Sequence, residues 1–222
     1  YAKDIGLLPD WQQRIWAGFN ITPEGGVSEE LLASQMRARP ADTTSPETAL
    51  VQALARMDEV ILARRGKSLF REHPYRNEVL SHIHRFRSTN EKGLFALAKD
   101  IARLTADSID ITALQEIAAP PKGERWGSLK SLEKVLATVC TSEDARRALA
   151  PLVGTYQLRL ADAHLPGCEL AEAMKLVGID GSSLALHQGQ TLIANCANAA
   201  MVIASMLERL ASREIDKGDM DD

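Results

Sequence analysis

Apolar residues along the chain recur every three or four positions, the period of an amphipathic helix. Between 46 and 65, Leu50, Leu54, Met57 and Ile61 share one helical face. Ser45 stands as a cap, Pro46 takes the first helical position, and Gly66 marks the stop. Residues 76–86 predict another helix with Val79, Leu80, Ile83 and Phe86 on its buried side. Leu94, Leu97, Ile101 and Leu104 predict a third, reaching about Ile109, followed by a short one near 111–118. Further on come helices from Ser128, from Ser142, from Pro151 to about His164, and over 168–177 up to Gly178. The last begins near Ser182 or Ser183 and reaches about Arg213, with Leu192, Cys196, Ala199, Ile203, Met206 and Leu210 along one line. No run of alternating β-branched residues appears, so the expected fold is all-α.

Turn-forming residues divide this pattern. The first 27 positions hold Trp11, Trp16 and Phe19 between prolines and glycines, and predict an arm with a short helix whose aromatics dock on the rest of the protein or, in the other reading, bind a partner or stack on bases. Ser28 reads as the cap of a helix over EELLASQMRAR. APPKGERWGS, residues 119–128, combines prolines, glycines and charges and is the expected internal boundary. The expected organisation is an N-terminal helical region over 1–120, a helical bundle over 126–213, and a frayed acidic tail over 214–222.

Charge and cysteine content narrow the classes of function. A formal charge of −4 gives no general attraction to a polyanion, so nucleic-acid binding would need a local basic patch. Arg56 to Lys92 is such a region, with nine Lys/Arg against five Asp/Glu, and the expected RNA-contacting residues are Arg76, His82, His84, Arg85 and Arg87. His82 and His84 lie two apart and diverge on a helix, which makes them poor joint metal ligands. Cys140, Cys168 and Cys196 form neither a CxxC pair nor an even set, so no disulfide framework or zinc knuckle is expected. Phosphate-binding GxxxxGK[ST] and strand-anchored GxGxxG loops are missing, as are HExxH and GxSxG. No metal and no cofactor are therefore expected. No uninterrupted apolar run approaches the roughly 18 residues of a membrane span, and no signal peptide is visible, so the expectation is a reduced cytoplasmic setting without a membrane. Beginning at Tyr1, the chain is expected to belong to a longer protein with other domains.

The stretch with most chemical promise is LRLADAHLPG, residues 158–167. On a helix from Pro151, the residues Leu152, Val153, Tyr156, Leu160 and Ala163 form an apolar stripe flanked by Arg159 and His164. Pro166 disfavours helical geometry at Leu165 and leaves His164 in the last turn, where the helix dipole favours its protonated form. Such a histidine suits acid–base work near neutral pH. Equally, Arg159 and Asp162 make an ordinary i,i+3 surface pair and His164 an ordinary C-terminal cap.

An Arg, four to six residues and then a His, inside a small helical bundle with a long last helix, resembles the HEPN superfamily, over about residues 126–213. The resemblance implies a metal-independent endoribonuclease in a bacterial defence or stress system, working as a homodimer on RNA. Arg159 would hold the scissile phosphate and His164 would move the proton, with Tyr156 and Asp162 in support. In the family the residue after the arginine is commonly polar, whereas here it is Leu160. A second copy of the spacing, Arg76 to His82, has Asn77 there. The other reading is a non-catalytic helical module for dimerisation, RNA binding or regulation within a larger protein.

Overall fold

The computed structural model describes residues 2–18, 29–40, 44–72, 74–160 and 167–218. Within these the chain is helical without a sheet; a lone antiparallel bridge joins Phe70 to Ile109. Two compact units divide at Thr43/Thr44. The first holds α1 (Ala2–Gly6), α2 (Asp10–Gly18) and α3 (Glu29–Leu31), the last continuing as a π-helical turn over Leu32–Met36. Helix α2 buries none of its residues, and Trp11 and Trp16 are exposed on it. Phe19 and Ser28 lie outside the described residues.

The second unit opens with α4 (Pro46–Arg65), which has the predicted boundaries. Ser45 Oγ accepts from the Thr48 N–H at 3.2 Å, and Gly66 closes the helix with a left-handed φ of 65°. Leu50, Leu54, Met57 and Ile61 are all buried. Then follow α5 (Arg76–His82), a 3-10 turn over Arg85–Arg87, α6 (Glu91–Leu104), α7 (Ile111–Gln115), α8 (Ser128–Leu136), α9 (Ser142–Leu158), α10 (Gly167–Val177) and α11 (Ala185–Gly218). Helix α11 is the axis of the unit. Leu192, Ile193, Cys196, Ala200, Ile203 and Leu207 are buried on it, and it packs most extensively on α4 and also against α6, α9 and the 3-10 turn.

Three expectations change. The 119–128 stretch is no domain boundary, because helices on both sides of it feed one hydrophobic core that runs from Leu50 to Leu210. It is a largely exposed surface loop. Second, the helix expected from Pro151 begins at Ser142. Thr141 Oγ1 accepts from the Asp144 N–H at 3.1 Å, and this cap sets the start, leaving Pro151 inside the helix. One lost hydrogen bond is tolerated there because Ala145, Leu149, Leu152 and Leu158 keep the helix seated on the core. Third, α5 stops at His82, Ile83 is extended, and the 3-10 turn re-aims the chain. Ile83 is still buried, but Phe86 is 60% exposed.

The last helix continues past the expected end: its backbone is helical to Gly218, into the segment expected to be a frayed tail. By length and composition Ala185–Leu210 would suffice to cross a membrane, yet half of its apolar window is buried against neighbouring helices, as in the core helix of a globular unit.

Helices meet closely where a side chain is missing. A Cβ at Gly154 of α9 would lie 2.6 Å from the Ala173 carbonyl oxygen and 2.8 Å from Leu176 and Val177 of α10. Replacing Gly154 by Ala forces these helices apart and should destabilise the protein by about 1–3 kcal/mol, read as a lower urea midpoint with an unchanged slope.

Candidate functional site

Arg159 follows the last residue of α9 and is its C-cap. Its guanidinium lies over the ring of Tyr156, 3.9 Å from the centroid, and Nη1 donates to the carboxylate of Asp107 in the turn after α6. The side chain is 24% exposed, and its Nε is buried without a hydrogen-bond partner. The same turn is tied down again, since Arg71 Nη2 donates to the Asp107 carbonyl and the Arg71 N–H to that of Ser108, 2.8 Å away. Arg159 thus clamps the end of α9 onto the α6 turn beside the Phe70–Ile109 bridge.

The apolar stripe expected beside it is rotated. With the helix phased from Ser142, the inward line runs through Ala145, Leu149, Leu152 and Leu158, while Leu160 is 49% exposed beyond the helix end. Tyr156 does meet Arg159. Asp162, Ala163 and His164 lie outside the described residues, so the described structure brings Arg159 to Tyr156 and Asp107. Asp107 was missed because it is 52 positions away in sequence, where no periodicity links it to Arg159.

The basic segment is largely self-neutralised. Arg85 makes a bidentate pair with Glu47, Nε to Oε1 at 3.0 Å and Nη2 to Oε2 at 2.9 Å, and its backbone N–H adds a third bond at 3.0 Å. Burial pushes the Glu47 carboxyl up, but the hydrogen bonds from Arg85 outweigh it and hold it below the ordinary carboxylate range. Arg87 and Arg103 both pair with Asp100, whose side chain is 5% exposed. Nδ1 of His84 accepts from the Phe86 N–H at 3.3 Å, and its ring sits 5.0 Å from that of Phe86. Arg76 lies over Phe70, 5.8 Å from the ring centroid. His82 lines a hollow of about 600 Å³ with Tyr75, Glu78, Arg87, Asp100 and Arg103. The five residues therefore do not form one positive face: two are committed to carboxylates, and Arg76 and His82 line different hollows.

A groove that sequence reasoning did not find lies between α9, α10 and α11, with a volume of about 540 Å³. Pro151, Leu176, Val202 and Met206 contribute apolar wall, and Arg147, Lys175 and Arg209 contribute cations. Arg147 pairs with Glu143 at 3.3 Å and Asp144 at 3.5 Å; among the described residues Lys175 and Arg209 have no ion-pair partner. Asn195 Nδ2 donates to the Val177 carbonyl at 2.7 Å and so closes α10. Burial, with the nearby Asp144 charge, raises the pKa of the Cys140 thiol at one end of the groove above the ordinary thiol value. Cys196, in the core, is pushed up to about 12 by burial despite its contact with Thr155 Oγ1 at 3.1 Å. Both are protonated near neutral pH and neither is a primed nucleophile. No three His, Cys, Asp or Glu side chains gather to hold a metal among the described residues.

No protein-family model, no curated protein and no solved structure matches the chain. The HEPN resemblance therefore rests on the Arg159-to-His164 spacing in the sequence.

Glu47 supplies a pH test. A carboxyl held below its ordinary value contributes stability that is full above about pH 4.5 and is lost as pH falls through the lowered value. Glu47→Ala should cost about 2 kcal/mol at pH 7. In urea unfolding at successive pH values, the gap between variant and parent should narrow below pH 4.5.

Proposed function

We propose that the chain is a non-catalytic helical module that binds a ligand, in which Arg159 serves as a structural clamp. One observation carries this reading: the guanidinium of Arg159 is spent on Asp107 and Tyr156 of its own chain. An arginine that stabilises charge building on a scissile phosphate must offer its N–H fork to that phosphate. Here a carboxylate takes one arm and cancels the charge, and an incoming phosphodiester would meet Asp107 as a like charge. The pairing of Arg85 with Glu47 and of Arg87 with Asp100 removes two further cations from the surface expected to attract RNA. The groove beside α11, by contrast, keeps two cations without an ion-pair partner, among the described residues, over an apolar wall.

A chelator assay decides between this reading and a homodimeric ribonuclease using Arg159 and His164. Purified protein is incubated with labelled RNA in EDTA, beside Arg159→Ala and His164→Ala. The expected result is no cleavage by the parent protein and, for Arg159→Ala, a stability loss of about 1 kcal/mol from the broken pair and stack. Chelator-resistant cleavage that disappears in both variants while they stay folded would overturn the clamp reading and establish the ribonuclease.

A further inference from the structure

We infer that the groove between α9, α10 and α11 binds a small organic carboxylate with an extended hydrocarbon body. The head group is held at the rim by Lys175 and Arg209, and the body lies along Pro151, Leu176, Val202 and Met206. This inference gives the binding-module reading a site and a ligand class, and rests on that reading.

Size is the first support. Small-molecule sites generally enclose roughly 300–1,000 Å³ and are mostly apolar with a few placed polar groups. The groove, at about 540 Å³, has that size and mixture. Charge is the second. The chain carries a net −4, and many of its arginines pair with carboxylates of the same chain. Lys175 and Arg209 are without an ion-pair partner among the described residues, and both line the same cavity. Two exposed cations above an apolar wall match one anionic head on a hydrocarbon body.

The apolar wall is itself open to solvent. Val202 is 46% exposed on α11, a helix whose opposite face is fully buried in the core. Covering such a side chain with a hydrocarbon is favourable by the area removed from water.

Other features limit the anion to a single charge. Asp144 lines the groove, and the C-terminal end of α10 enters it through Lys175 to Gly178 and brings the negative pole of that helix. A polyphosphate or an RNA backbone would place several charges against these groups, whereas one carboxylate can sit at the cationic rim.

The test uses the intact protein labelled with nitrogen-15 and titrated with sodium decanoate, with decanol as the uncharged control. The readouts are the side-chain amides of Asn195 and Asn198 and the backbone amide of Gly178, all at the groove. Saturable decanoate shifts at these groups are expected, with a dissociation constant on the order of 0.1–1 mM for a ligand of this size. The double variant Lys175→Gln/Arg209→Gln should keep its melting temperature and bind decanoate about tenfold more weakly, with decanol binding unchanged. Val202→Asp should abolish both. Absence of saturable shifts, shifts confined to another surface, or unchanged affinity in the double variant would each overturn the site. Failure of this titration leaves the Arg159 clamp standing, and RNA cleavage in EDTA would leave the titration result untouched, so the two readings fail separately.

Discussion

A helix approached from several sides has to present a small residue wherever a neighbour's backbone comes close, and a bulky one wherever a gap must be filled. Helix α11 meets this demand along most of its length. Leu192, Ile193, Ile203 and Leu207 fill space, while Ala197, Ala200 and Ala204 let neighbours in. Near its start Gly189 lies so close to Ser88 that any Cβ would collide with that side chain. Ser88 is fully buried there and donates to the Ala185 carbonyl at 2.7 Å, which fixes the 3-10 turn against the start of the axis. Placing α4, α6 and α9 around this one helix fixes where each of their polar ends arrives. The clamp at Arg159 and the groove beside α10 both follow from that placement.

The distribution of charge is a second consequence of the same packing. Glu47 enters from the first turn of α4, Asp100 from α6 and Asp107 from the turn behind it, and each meets an arginine from outside its own element, Arg85 and Arg87 of the 3-10 turn and Arg159 at the end of α9. Burial of Glu47 and Asp100 without partners would be costly. Pairing them satisfies the fold and at the same time removes from the surface the positive charge on which polyanion binding depends. A segment rich in arginine by count is therefore close to neutral in space.

Local chemistry was the most legible aspect of the sequence. Ser45, Pro46 and Gly66 bound α4 as their types require, because caps act within one turn and owe nothing to distant residues. Pro151 misled because proline favours a first turn in isolation, whereas in the protein the cap at Thr141 and the buried face of α9 outweigh it. The boundary expected at 119–128 misled in the same way: prolines and glycines mark a loop, and only long-range packing tells whether the helices flanking it share a core. The candidate site was legible at Arg159 and Tyr156, three apart on one helix, and illegible at Asp107 and in the groove, whose walls come from three separate helices.

The three sulfurs occupy three depths: Cys196 buried, Cys140 half-buried and Cys168 exposed. With Cys196 buried in the core and Cys140 half-buried and made a poorer nucleophile by its surroundings, alkylating reagents meet Cys168 as the most exposed of the three thiols. That position is two residues beyond Pro166, at the first turn of α10. The natural chain thus carries its own attachment point for a thiol-reactive dye, next in sequence to the stretch that bears His164, with no engineered cysteine required.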